Sequence, residues 1–156
     1  MQAERAKVRV IGIGNPYRGD DGVGRLLARK VKPLLNGLAD VREEDGEAAA
    51  LMEAWEGAPA VILLDAVCSG GPPGTVHCLD VSERRLPNEF TPYSTHGFGL
   101  VEAVELARSL GKLPSRVWVV GIEGGSFGTE TNLSKKVLAA LARAAEEVKR
   151  LCMSIR

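Results

Sequence analysis

A chain of 156 residues with twenty basic and twenty acidic side chains is neutral at pH 7, and no basic run leaves a footprint for nucleic acid or an anionic membrane surface. Its length suits a single domain, 1–156, that buries about two thirds of the surface its unfolded form exposes. The longest apolar run, Ala60 to Leu64, is far too short to span a bilayer, and MQAERAKVRV lacks the apolar centre of a signal peptide. With three scattered cysteines, Cys68, Cys78 and Cys152, read as reduced structural thiols, the expectation is a cytoplasmic protein.

Val8, Val10 and Ile11 form a first predicted strand, and Val23, Leu26, Leu27, Val31 and Leu34 recur at helical spacing. Between them lies Gly12-Ile13-Gly14-Asn15-Pro16-Tyr17-Arg18-Gly19-Asp20-Asp21-Gly22-Val23-Gly24, a strand-to-helix turn carrying two adjacent carboxylates. Pro33 kinks or shortens the helix. A brief second strand from Asp40 to Glu44 and a short helix from Ala48 to Trp55 follow. Ala60 to Val67 reads as a central parallel strand buried on both faces, with Asp65 near its end. The link SGGPPG is too short for a helical crossover, so the next strand, Thr75 to Val81, runs antiparallel.

An irregular stretch, Ser82 to Thr95, precedes a helix from about Phe98 to Leu110, whose Glu102, Glu105 and Arg108 mark a wet face. Val117 to Ile122 gives a fifth strand ending in Glu123, and Ser134 is placed to cap a long final helix. Its stripe of Val137, Leu141, Ala144, Val148 and Leu151 faces the core. No repeat or linker divides the chain. The fold class is α/β, one three-layer α/β/α sandwich with a mixed sheet.

In an open α/β sheet, ligands bind beyond the carboxyl ends of the strands. Asp20, Asp21, Glu44, Asp45, Asp65 and Glu123 are expected at that edge, and the loop before the third helix brings His96. Carboxylates sharing a small rim raise one another's pKa unless protons or a cation offset them. Two carboxylates and an imidazole suit zinc, nickel, iron or manganese. At least one of Asp20 and Asp21 is expected to cap the first helix. Asp65 in an apolar strand is either hydrogen-bonded by neighbouring turns or a ligand, Glu123 is structural or solvent-facing, and His77 is half-exposed and inert. His77 and Cys78 point to opposite faces of their strand and cannot form a thiol–imidazole pair. No nucleophile elbow surrounds Ser69 or Ser94, and the glycine spacing does not fit a dinucleotide loop.

GIGNPYRGDDGVG, the strand ILLDAV and the segment STHGFGL together resemble the hydrogenase maturation proteases, nearly end to end. The resemblance implies a twisted five-stranded sheet with one antiparallel strand, of the phosphorylase/hydrolase-like kind. It implies a cytoplasmic, aspartyl-type endopeptidase that removes the C-terminal extension of a nickel-iron hydrogenase large-subunit precursor after nickel insertion. The implied metal ligands and catalytic residues are Asp21, Asp65 and His96, with nickel supplied by the substrate and zinc or cadmium as possible substitutes in vitro. Asp20 is the candidate for a supporting base or hydrogen-bond partner. The chain departs from the family at Asp45-Gly46-Glu47-Ala48, where Asp-Gly-Gly-Thr is common, and at Glu123-Gly124-Gly125-Ser126-Phe127-Gly128, in place of a Glu-Pro run.

Three other readings compete. A peptidyl-tRNA hydrolase shares Gly-x-Gly-Asn-Pro, but its histidine is replaced here by Asp20-Asp21-Gly22. A non-catalytic chaperone of the nickel-loaded large subunit would use the same ligands. A free-standing metal hydrolase would turn over without a partner's nickel.

Overall fold

The computed structural model describes residues 7–87, 100–128 and 132–155. Five strands, β1 Val8–Ile13, β2 Ala39–Glu44, β3 Val61–Val67, β4 Val76–Asp80 and β5 Val117–Glu123, form one sheet in the order β2-β1-β3-β5-β4. β1, β2, β3 and β5 are parallel, and β4 is antiparallel to β5 at the edge. The short link after β3 leaves that direction as the accessible one. The central strands are apolar because both their faces are covered, and Val61, Ile62, Leu63 and Leu64 are all fully buried.

Helices α1 Val23–Val31 and α4 Lys135–Ile155 pack with Val10, Ile62, Leu64 and Ile122 on one face. Helices α2 Ala48–Trp55 and α3 Leu100–Ser109 pack with Ile11, Val61, Leu63 and Val119 on the other. The predicted stripe of α4 is buried throughout. α1 stops at Val31, and Pro33 opens a separate 3-10 turn, Pro33–Leu35, since its ring fixes φ and supplies no N–H. α2 has the bounds expected from the sequence and is capped by the Glu47 carboxylate, which accepts from the N–H groups of Ala49 and Ala50.

The predicted wet face of α3 needs one correction. The Arg108 guanidinium donates to the carbonyls of Val81, Ser82 and Arg84 and pairs with Glu105, so it pins the chain leaving β4 to the helix. Phe98, the predicted start of this helix, lies outside the described residues. Among the described residues, no helix is long and apolar enough to cross a membrane.

Candidate functional site

The chain leaves β1 through α1 to reach β2 on one side, while β3 lies on the other, so the strand order reverses between β1 and β3. A crevice opens at the carboxyl ends of strands around such a reversal. The turn after β1 is built for close approach. Gly14 has φ +146°, and a Cβ there would lie 1.9 Å from the Asp21 carbonyl. A Cβ on Gly24 would lie 2.3 Å from the carbonyls of both Ile13 and Leu64, so the start of α1 sits directly on the ends of β1 and β3. The turn then winds through a 3-10 segment, Gly19–Gly22, that carries Asp20 and Asp21.

These neighbours have opposite surroundings. Asp20 is completely buried. Its Oδ2 accepts from the N–H groups of Gly125 (2.8 Å) and Ser126 (2.9 Å) and from the Ser134 hydroxyl (2.9 Å), and its Oδ1 accepts from the Ser134 N–H (2.7 Å). Burial alone would raise this carboxyl's pKa, but the donors from Gly125, Ser134 and Ser126 outweigh it and hold the group below its ordinary range. Such a carboxylate is a poor proton acceptor. Of the two roles expected for Asp20, the structure shows the hydrogen-bond partner. The expected capping role is also corrected: the 3-10 turn and α1 begin without any side-chain cap bond. Ser134 precedes α4 as predicted, its carbonyl accepting from the Leu138 N–H, while its hydroxyl is engaged by Asp20.

Asp21 is half-buried, and its Oδ2 accepts from the Asn15 N–H at 2.9 Å. Desolvation raises its pKa, with the Asn15 N–H and the Arg18 charge opposing only in part. Asp65 stands on β3 in the alternation of Val61 and Leu63, on the α2/α3 face. Its Oδ1 accepts from the Ala66 N–H at 2.8 Å. Burial first and the charge of Asp21 second push its pKa well above the ordinary carboxylate range. The structure thus brings Asp21 close enough for its charge to disfavour ionisation of Asp65. A proton or a cation relieves that repulsion, and the two oxygen-donor groups suit a divalent metal.

His96, the expected third ligand, lies outside the described residues. Among the described residues, no three His, Cys, Asp or Glu side chains converge as a metal site. Asp45 joins Asp21 in lining a cleft of about 620 Å³, together with Tyr17, Arg18, Arg25 and Arg29. Arg25 and Arg29 are both paired with Glu43. Glu44 closes β2 in register with Ile13.

Glu123 is 1 % exposed and belongs to a separate cluster. It accepts from the Ser69 N–H and hydroxyl and meets His77 Nε2 at 3.2 Å. Its structural alternative stands and its solvent-facing one does not; His77 is partly exposed, as expected, but its ring is engaged by Glu123. The register hides this meeting from the sequence, because His77 lies opposite Gly121 across β4 and β5. The Asp20 clasp was equally hard to read. Its faint signal is the run of glycines after β5, where a Cβ on Gly124 would press on the Phe127 ring at 2.3 Å and on Asp20 Cβ at 3.1 Å.

A three-layer α/β sandwich with a buried carboxylate pair, Asp21 and Asp65, beside its strand-order reversal defines the class of fold to which the chain is compared. The chain belongs to the hydrogenase maturation protease family, whose HycI model matches residues 46–151. The hydrogenase 2 maturation peptidase of a Thaumarchaeota archaeon is 30% identical, with 93% of this chain and 97% of that one covered and a TM-score of 0.63. The hydrogenase maturating endopeptidase HybD from E. coli has the same fold, with a TM-score of 0.74 at 24% identity over 91% of this chain and 89% of that one. The hydrogenase expression/formation protein HupD of Rhodobacter capsulatus is 29% identical over 119 residues, 75% of this chain and 57% of that protein. The chain thus spans little more than half the length of that curated relative.

Proposed function

We propose that this protein is a cytoplasmic endopeptidase that removes the C-terminal extension of a nickel-iron hydrogenase large-subunit precursor, and that it recognises the nickel already held by that substrate. The observation that carries the reading is the Asp21–Asp65 pair, in which both carboxyls are disfavoured as anions by burial and Asp65 also by the charge of Asp21, which favours a positive charge beside them. Membership of the hydrogenase maturation protease family supports the reaction class.

In this reading Asp21 and Asp65, joined by His96, take open positions on the substrate's nickel. Their rigid mounting on the turn after β1 and on β3 then fixes the adjoining peptide at the cleavage position. Burial and the charge of Asp21 raise the pKa of Asp65, so a cation bound there would compete with a proton for its carboxylate. Zinc or cadmium would occupy the same carboxylates in vitro. A chaperone that grips the loaded subunit without cutting it would use the same ligands, so cleavage is the discriminating property.

The test is the intact mass of a large-subunit precursor after incubation with the protein, comparing nickel-loaded with nickel-free precursor. The expected result is loss of the C-terminal extension from the loaded form alone. Cleavage of both forms would remove nickel from the recognition step. An unchanged mass in both would overturn the endopeptidase.

A further inference from the structure

We infer that Asp20 is a positioning residue for the candidate site: its buried carboxylate locks the rotation of the turn that aims Asp21, using Gly125, Ser126 and Ser134 as the anchor. The inference rests on the endopeptidase reading for its consequence in cleavage, but its structural half stands alone. A 3-10 segment has about three residues per turn, so adjacent side chains leave it about 120° apart. Fixing the direction of Asp20 therefore fixes the direction of Asp21.

The lock is made at both ends of the residue. Four donors converge on the Asp20 carboxylate from Gly125, Ser126 and Ser134, and the Asp20 N–H donates in return to the Ser126 carbonyl at 2.7 Å. These bonds join positions more than 100 residues apart in the chain. On the other side the Asp21 carbonyl is pressed against Gly14 and Gly22 against Pro16, so the turn has little freedom to rotate once Asp20 is held. Asp21 emerges with its Oδ2 on the Asn15 N–H. Arrangement around a reacting centre is sensitive at this scale, since a displacement of about 1 Å can cost about a hundredfold in rate.

The chemistry of the clasp predicts a graded series. Asp20→Ala removes every acceptor. In Asp20→Asn the amide oxygen can still serve the three donors on Oδ2, but its NH₂ faces the Ser134 N–H. Ser134→Ala removes one donor and leaves the backbone donors in place.

The experiment measures precursor cleavage by these three variants, expressed per folded molecule, together with amide hydrogen exchange at Asn15 and in β3. The expected result is a loss in kcat with KM little changed, about a hundredfold for Asp20→Ala, less for Asp20→Asn and least for Ser134→Ala. In the same order, exchange at Asn15 quickens by more than the loss of global stability accounts for, whereas the β3 amides follow each variant's global stability. Should Asp20→Ala not fold, the other two variants carry the same comparison. Unchanged kcat per folded molecule with unchanged exchange at Asn15 would overturn the inference and leave the clasp a stability device. If the unsubstituted protein cleaves nothing, the proposed function fails, and exchange at Asn15 still decides whether Asp20 orients the turn.

Discussion

Asp20 and Asp21 are adjacent in sequence and opposite in electrostatics. Asp20 is sealed from water yet held ionised by four donors, whereas Asp21 has one backbone donor and a second carboxylate, Asp65, nearby. A buried charge that is fully hydrogen-bonded behaves as a fastening; a pair of carboxylates short of donors behaves as a receptor for protons or cations. Glu123 falls on the fastening side, joining the β3–β4 link to β4 through Ser69 and His77. The difference separates holding from binding within one carboxylate-rich edge.

The sharpest way to break this contrast is to exchange the roles by mutation. Asp21→Ala is expected to lower precursor cleavage by at least about a thousandfold, as removal of an oriented catalytic group can, with little change in the urea midpoint. A kinetic assay beside a denaturation curve checks both halves. Asp20→Ala is expected to show the complementary pattern in stability, losing about 3 kcal/mol in urea denaturation because several buried donors are left without an acceptor. Equal stability losses in the two variants would erase the contrast.

Gly24→Ala addresses the platform on which both carboxylates stand. The added methyl meets the carbonyls of Ile13 and Leu64 at 2.3 Å, and relief of such overpacking costs about 2 kcal/mol. Thermal denaturation should record the loss.

The finest distinction is one of sign. Asp65 has a raised folded-state pKa, so the folded protein binds more protons and its contribution becomes less favourable as pH climbs above the ordinary aspartate value of about 3.9. Asp20 is depressed, so its contribution is present above that value and is lost as pH falls through its lower folded pKa. Urea midpoints between pH 3 and 7 should show Asp65→Asn gaining on the parent protein as pH rises, and Asp20→Asn losing ground. Parallel pH profiles would contradict the assignment.

Much of the fold was legible because its signals are local. The apolar run of β3, the break at Pro33 and the short link after β3 each act within a few residues, and each corresponds to the observed element. The placement of Asp21 and Asp65 followed from strand order, since the turn after β1 and the later half of the parallel neighbour β3 lie at the same edge. What stayed hidden depends on partners far along the chain. Nothing around Asp20 announces Gly125 or Ser134, and nothing around His77 announces Glu123. Arg108 looked solvent-facing by periodicity because the carbonyls it binds belong to a loop without regular pattern.

The most direct test of the central claim is the intact mass of nickel-loaded precursor incubated with Asp65→Asn protein beside the parent. This substitution preserves the shape of the side chain and removes only its capacity for negative charge. The account predicts a folded variant, at least as stable as the parent at pH 7, that leaves the precursor at full mass while the parent removes the extension. Removal of the extension by Asp65→Asn at the parent's rate would contradict the account.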